Sequence, residues 1–210
     1  MSDRRSRATV LRRRARRRRE RRRMLRIVAI TASVAVAVSA VFVVLGLLTA
    51  PRADRYCVDE PQTFPATGVA GWRGDQLENA AIIVQTARGM GVERDGQIIG
   101  VMAAMGESSL HNIDYGDWET SGVTNPDGTR TSSIGLFQQQ SWWGTPEERM
   151  DPATASTKFF TRLNRIDGWQ KLPPSHAINR VQINSDREHY ARFAEDAADV
   201  VDALAGECGE

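Results

Sequence analysis

Apolar residues at Leu77, Ala80, Ala81 and Val84 recur three and four positions apart, the stripe of an amphipathic helix. The pattern predicts that Asp75 caps it, with Glu78 three residues on, and that Gly89 and Gly91 end it. A second helix is predicted from near Asp95 through Gly106, and its residues from Gln97 onward are apolar or small on every side, which places it at the centre of a core. Residues 110 to 134 are rich in turn formers, with Asn125-Pro126-Asp127-Gly128 as a tight turn and a small hairpin expected. Helical spacing returns after Asp151-Pro152, a cap and a first-turn proline, with Ala155, Phe159, Phe160, Leu163 and Ile166 on the inner face. Ser175 is read as the cap of a short helix carrying Ile178 and Val181. A last helix is predicted from Tyr190 through Phe193, Ala197, Val200, Val201 and Leu204 to a stop at Gly206. Together these elements predict an α+β domain that is mostly α-helical, with one small irregular or β insertion.

A different pattern precedes them. Residues 27–50 carry no charge, and at 1.5 Å of rise per residue they would cross a hydrocarbon core of about 30 Å as one helix. Residues 1–26 hold 14 arginines against Asp3 and Glu20, a net of +12. The remainder carries 14 basic and 24 acidic side chains, so the overall charge of +2 describes neither part. The charge step predicts a single-pass membrane protein with a cytoplasmic arginine tail, a transmembrane helix over 27–50 and an extracytoplasmic body. A cleaved signal peptide is the other reading, with Val38-Ser39-Ala40 as a small-residue site. The tail lacks interleaved aromatic residues and adjoins the apolar run, so anionic lipid is its expected contact and nucleic acid is not. Residues 51–72, with Pro51, Pro61, Pro65, Gly68 and Gly71, read as a linker, and 73–208 as the folded domain that Trp72 begins.

Both cysteines lie in that body, Cys57 near its start and Cys208 near its end, and in an oxidising compartment they are expected to pair; two unpaired thiols are the alternative. No metal is expected, because two distant cysteines and the scattered His111, His176 and His189 match no zinc spacing. Nor is any cofactor, since the chain has no phosphate-cradling glycine loop; it also has no nucleophile elbow.

The residue with chemical promise is Glu107, at the end of the buried helix after a nearly uncharged run. Loss of water and the partial negative charge of a helix carboxyl end both disfavour its ionised form and raise its pKa towards what a general acid needs. A solvent-facing glutamate on a fraying last turn is the alternative.

The order Gly106-Glu107-Ser108-Ser109-Leu110, then Ser133-Ile134-Gly135-Leu136-Phe137-Gln138-Gln139, then Asp151-Pro152-Ala153-Thr154-Ala155 resembles the lysozyme-like soluble lytic transglycosylase superfamily. Ala177 to Gln182 and Tyr190-Ala191 are similar to the branch found in actinobacterial cell-wall enzymes. The resemblance, over roughly residues 72–205, implies a lysozyme-like fold and cleavage of the bond between N-acetylmuramic acid and N-acetylglucosamine in peptidoglycan, outside the membrane. It implies Glu107 as acid and then base, Ser108 supporting that carboxyl, Gln138 binding sugar or orienting Glu107, and Phe137, Trp142 and Trp143 as surfaces on which sugars stack. The family's Ala-Tyr-Asn motif, whose tyrosine touches the catalytic glutamate, reads Ala177-Ile178-Asn179 here, leaving Tyr190 or Tyr115 to substitute. A hydrolase usually needs a second carboxylate, for which Asp114 and Asp117 stand as candidates beside their reading as turn formers. A non-catalytic wall-binding protein or scaffold subunit of an envelope apparatus is the rival class.

Overall fold

A computed structural model describes residues 54–183 and 186–206. The chain divides into Met1–Arg52, outside the described residues, and a unit spanning Ala53–Glu210. The arginine tail and the apolar run at 27–50 therefore lie outside the described residues. Among the described residues no helix is long and apolar enough to cross a membrane.

The unit is mostly α-helical: α1 (Asp75–Gly89), α2 (Arg94–Ser108), α3 (Asp117–Ser121), α4 (Pro146–Met150), α5 (Pro152–Asn164), α6 (Pro174–Gln182) and α7 (Ala194–Ala203). Helix α2 is the axle against which α1, α5, α6 and α7 pack. Its small residues permit this. A Cβ at Gly100 would lie 2.4 Å from Phe160 Cζ and 3.0 Å from Ile83 Cγ2, so α1 and α5 press directly on the α2 backbone. Phe159 and Phe160 are fully buried on α5, and the Phe159 ring stacks on Phe137 at 4.8 Å. Each such ring contributes about 1.5–3 kcal/mol of hydrophobic stabilisation.

The local signals place most of these elements, with four differences. Gly74, at φ 55°, precedes α1 as its cap, and Asp75 is the first helical residue, its carboxylate 2.8 Å from His111 Nδ1. Ser175 lies inside α6, behind Pro173 and Pro174; its hydroxyl donates to Arg187 O (2.5 Å) instead of capping. The final helix starts at Ala194, after a 3-10 turn over Ala191–Phe193. The expected β element is reduced, among the described residues, to isolated bridges at Val69–Trp72, Thr124–Arg130 and Ile134–Gln139. The Asn125–Gly128 turn forms, with Gly128 N donating to Asn125 O at 2.9 Å. Asp151 caps α5 as expected, accepting from Thr154 N at 2.8 Å.

The described part of the stretch read as a linker, residues 54–72, is part of the folded unit. Cys57 and Val58 are buried, and Phe64, Val69 and Trp72 pack on the core. Tyr56 N donates to Ala203 O (2.5 Å) and Gly206 N to Tyr56 O (3.2 Å), stitching the first segment to the last. Cys57 is disulfide-bonded; Cys208, the chain's other cysteine, lies outside the described residues. A cross-link acts on the unfolded chain by removing part of its freedom, so reducing the disulfide should cost about 2–5 kcal/mol. Urea unfolding with and without reductant measures this, and identical midpoints would show that the bridge adds nothing.

Candidate active site

Helix α2 carries apolar residues to Met105 and then ends within one turn. Ser109 and Leu110 both adopt left-handed φ, and their amides return to Met105 O and Ala104 O, so the chain turns away just past Glu107. Leu110 is fully buried and locks that turn. Glu107 is thus half-buried at the carboxyl end of a dry helix.

Tyr190 meets it from the other side of the core. Its ring lies where a Cβ on Gly106 would be, 2.5 Å from that position, so only glycine before the glutamate lets the tyrosine approach. The Tyr190 hydroxyl donates to Glu107 Oε1. Tyr190 is fully buried, whereas Tyr115 is 46% exposed. Of the two tyrosines singled out from sequence, Tyr190 touches the glutamate.

The Glu107 carboxyl is pushed from 4.5 up to about 7. Burial is the largest cause. The Tyr190 hydrogen bond pulls it down, the negative charge of Asp117 pushes it up, and a hydrogen bond with Gln182 pulls it down. Replacing Tyr190 with Phe should therefore raise the Glu107 midpoint beyond about 7. A carbon-13 NMR titration of the carboxyl reads it, and an unmoved midpoint would show that the hydroxyl does not act on Glu107.

The segment from Ile134 to Gln139 is tied to this centre by its backbone. Ser108 Oγ donates to Leu136 O (2.8 Å) and to Ala104 O (3.2 Å), and Gln182 Nε2 donates to Phe137 O (2.8 Å). Ser108 thus fixes the neighbouring turn, a different task from supporting the carboxyl. Gln138 donates to Tyr115 O and Gly135 O, both at 3.2 Å, and holds loop to loop without touching Glu107. Phe137 is fully buried on Phe159, so its ring offers no face to a sugar. The two tryptophans divide: Trp143 is buried with Arg162 over its ring at 3.4 Å, while Trp142 is 59% exposed and available for stacking. The described surface also has hollows of about 560 and 480 Å³, neither lined by Glu107.

Gln182 had no role assigned from sequence. The only signal was its position as a polar residue closing a short amphipathic helix, and nothing local links it to a glutamate 75 positions earlier. Among the described residues no group of three or more His, Cys, Asp or Glu side chains is placed to hold a metal ion. Compared with known proteins, the chain matches no family model, and a search of curated proteins finds no match.

Proposed function

We propose that the domain cleaves peptidoglycan glycan strands at the β-1,4 bond between N-acetylmuramic acid and N-acetylglucosamine, with Glu107 as general acid and then base. The observation that carries this reading is the Glu107–Tyr190 pair: a carboxyl brought to about 7 by burial, held by a buried hydroxyl at the end of an apolar helix. Near neutral pH such a group is protonated in a sizeable fraction of molecules, so it can give a proton to a glycosidic oxygen and take one back. A burial cost of this kind has no purpose in a merely structural helix end. The order of the Glu107-Ser108, Gly135-Leu136-Phe137-Gln138 and Pro152 segments supports the same reading. The uncharged run at 27–50 and the arginine tail support anchorage in the cell membrane with the domain at the wall.

Mass analysis of muropeptides released from purified wall by the full-length protein tests the proposal. Released disaccharide-peptides are expected, and an absence of any cleavage would turn the reading to a wall-binding scaffold.

A further inference from the structure

We propose that Ser175 is a positioning residue for Glu107, its hydroxyl holding the backbone at Arg187 and Tyr190 so that the Tyr190 phenol stays on the carboxyl; this rests on the reading of Glu107 as the acid. Tyr190 stands ahead of the 3-10 turn over Ala191–Phe193, in a stretch that belongs to no helix, so contacts from elsewhere must set its direction.

The start of α6 supplies them. Ser175 is buried, and its Oγ donates to Arg187 O at 2.5 Å while accepting from Tyr190 N at 3.3 Å. A hydroxyl does both at once, whereas alanine does neither. Next to it, His176 Nε2 lies 2.5 Å from Glu188 Oε1, so two successive residues of α6 grip residues 187–190. The same stretch meets α2 at Gly106. The His189 ring stands edge-on to the Tyr190 ring at 4.8 Å, and its Nε2 lies 3.4 Å from Gly106 O. That carbonyl is left over by the turn ending α2, because the Ser109 and Leu110 amides return to Met105 O and Ala104 O.

The spacing along α6 joins this hold to the rest of the site. Ser175 and Gln182 stand seven residues, about two turns, apart and so share one face of the helix. Gln182 bonds Glu107 directly and donates to Phe137 O at 2.8 Å, while Ser175 acts on Glu107 through Tyr190. One helix thus places both hydrogen-bond partners of the carboxyl. The chemistry needs that placement, because the Tyr190 hydroxyl donates to the carboxylate that remains once Glu107 has given its proton to the glycosidic oxygen. A tyrosine released from Ser175 withholds that bond when the charge develops.

The test compares full-length wild type, Ser175→Ala, Tyr190→Phe, the double variant, Ser156→Ala and Glu107→Gln, with the Glu107 midpoint read by carbon-13 NMR and cleavage read on purified wall. Ser175→Ala should raise the midpoint, by no more than Tyr190→Phe does, and lower kcat about 10- to 100-fold with little change in KM. Added to Tyr190→Phe it should move neither quantity further. Ser156→Ala removes another buried hydroxyl, bonded to Pro152 O at 2.6 Å on α5, and should behave as wild type. Ser175→Cys, similar in size with only a weak donor, should fall between wild type and Ser175→Ala, and it decides the matter where Ser175→Ala does not fold. An unmoved midpoint in the Ser175 variants, an equal rise with and without the Tyr190 hydroxyl, or an equal rise in Ser156→Ala would overturn the proposal. Cleavage by Glu107→Gln would instead overturn the reading on which it rests, and the midpoints would still decide whether Ser175 holds Tyr190 on Glu107.

Discussion

Glu107→Gln should abolish glycan cleavage, with a loss of at least ~10²–10⁴-fold and more if one residue serves as both acid and base. Glutamine keeps the shape, and its amide oxygen can still accept from the Tyr190 hydroxyl, so folding should persist. What it lacks is a proton to give to a poor leaving group. The same variant has a stability signature with a definite sign. In the folded protein the Glu107 carboxyl sits at about 7 instead of 4.5, so between those values the native state binds the extra proton and wild-type stability falls as pH rises. Above about 7 the full burden is present, about 3 kcal/mol from that displacement and less where solvent reaches the group. Glu107→Gln carries no such burden, so its advantage over wild type should be absent near pH 4, grow across the window and level off above 7. Urea midpoints at a series of pH values measure it, and a difference that does not vary with pH would show that Glu107 is not desolvated.

Gly135→Ala should destabilise the domain by about 3–4 kcal/mol and loosen the site with it. Gly135 has φ +79°, and a Cβ there would stand 2.2 Å from Arg149 O. That carbonyl cannot retreat easily. The buried Arg149 guanidinium donates to Ser132 O (2.6 Å) and Gln139 O (2.9 Å), clamping the end of α4 to both sides of the turn. Gly135 N also donates to Ile113 O at 2.7 Å, so any shift breaks a second tie. The bonds from Ser108 and Gln182 to Leu136 O and Phe137 O depend on the same turn. Denaturation should show the loss, and a cost below about 1 kcal/mol would mean the turn can relocate without its clamp.

How far these features were legible in the sequence depends on how local their causes are. Glu107 could be found because its signal is a run of apolar residues ending at one acid, and the helix that creates the dry surroundings is the helix that carries it. Asp151-Pro152 was legible for the same reason, since a cap is written within four residues. Tyr190 could only be named beside Tyr115, because the choice between them depends on which hydroxyl reaches Glu107 across 83 positions of chain. Phe137 shows the opposite error. In a loop no periodicity separates core from surface, and a ring assigned to sugar lies against Phe159 instead. Residues 51–72 read as a linker from proline and glycine content, which is blind to the few apolar side chains, such as Val58 and Phe64, that dock the described part of that stretch.

The stitching of Tyr56 to Ala203 and Gly206 gives the domain an entrance and an exit at one spot on its surface. A unit with adjoining ends is a cassette: it can be spliced into an exposed loop of an unrelated host without forcing that loop apart. The same adjacency lets the ends be joined by a short bridge and the chain be cut anew elsewhere on its surface. Transplantation of this unit between hosts would then leave the backbone of each nearly undisturbed.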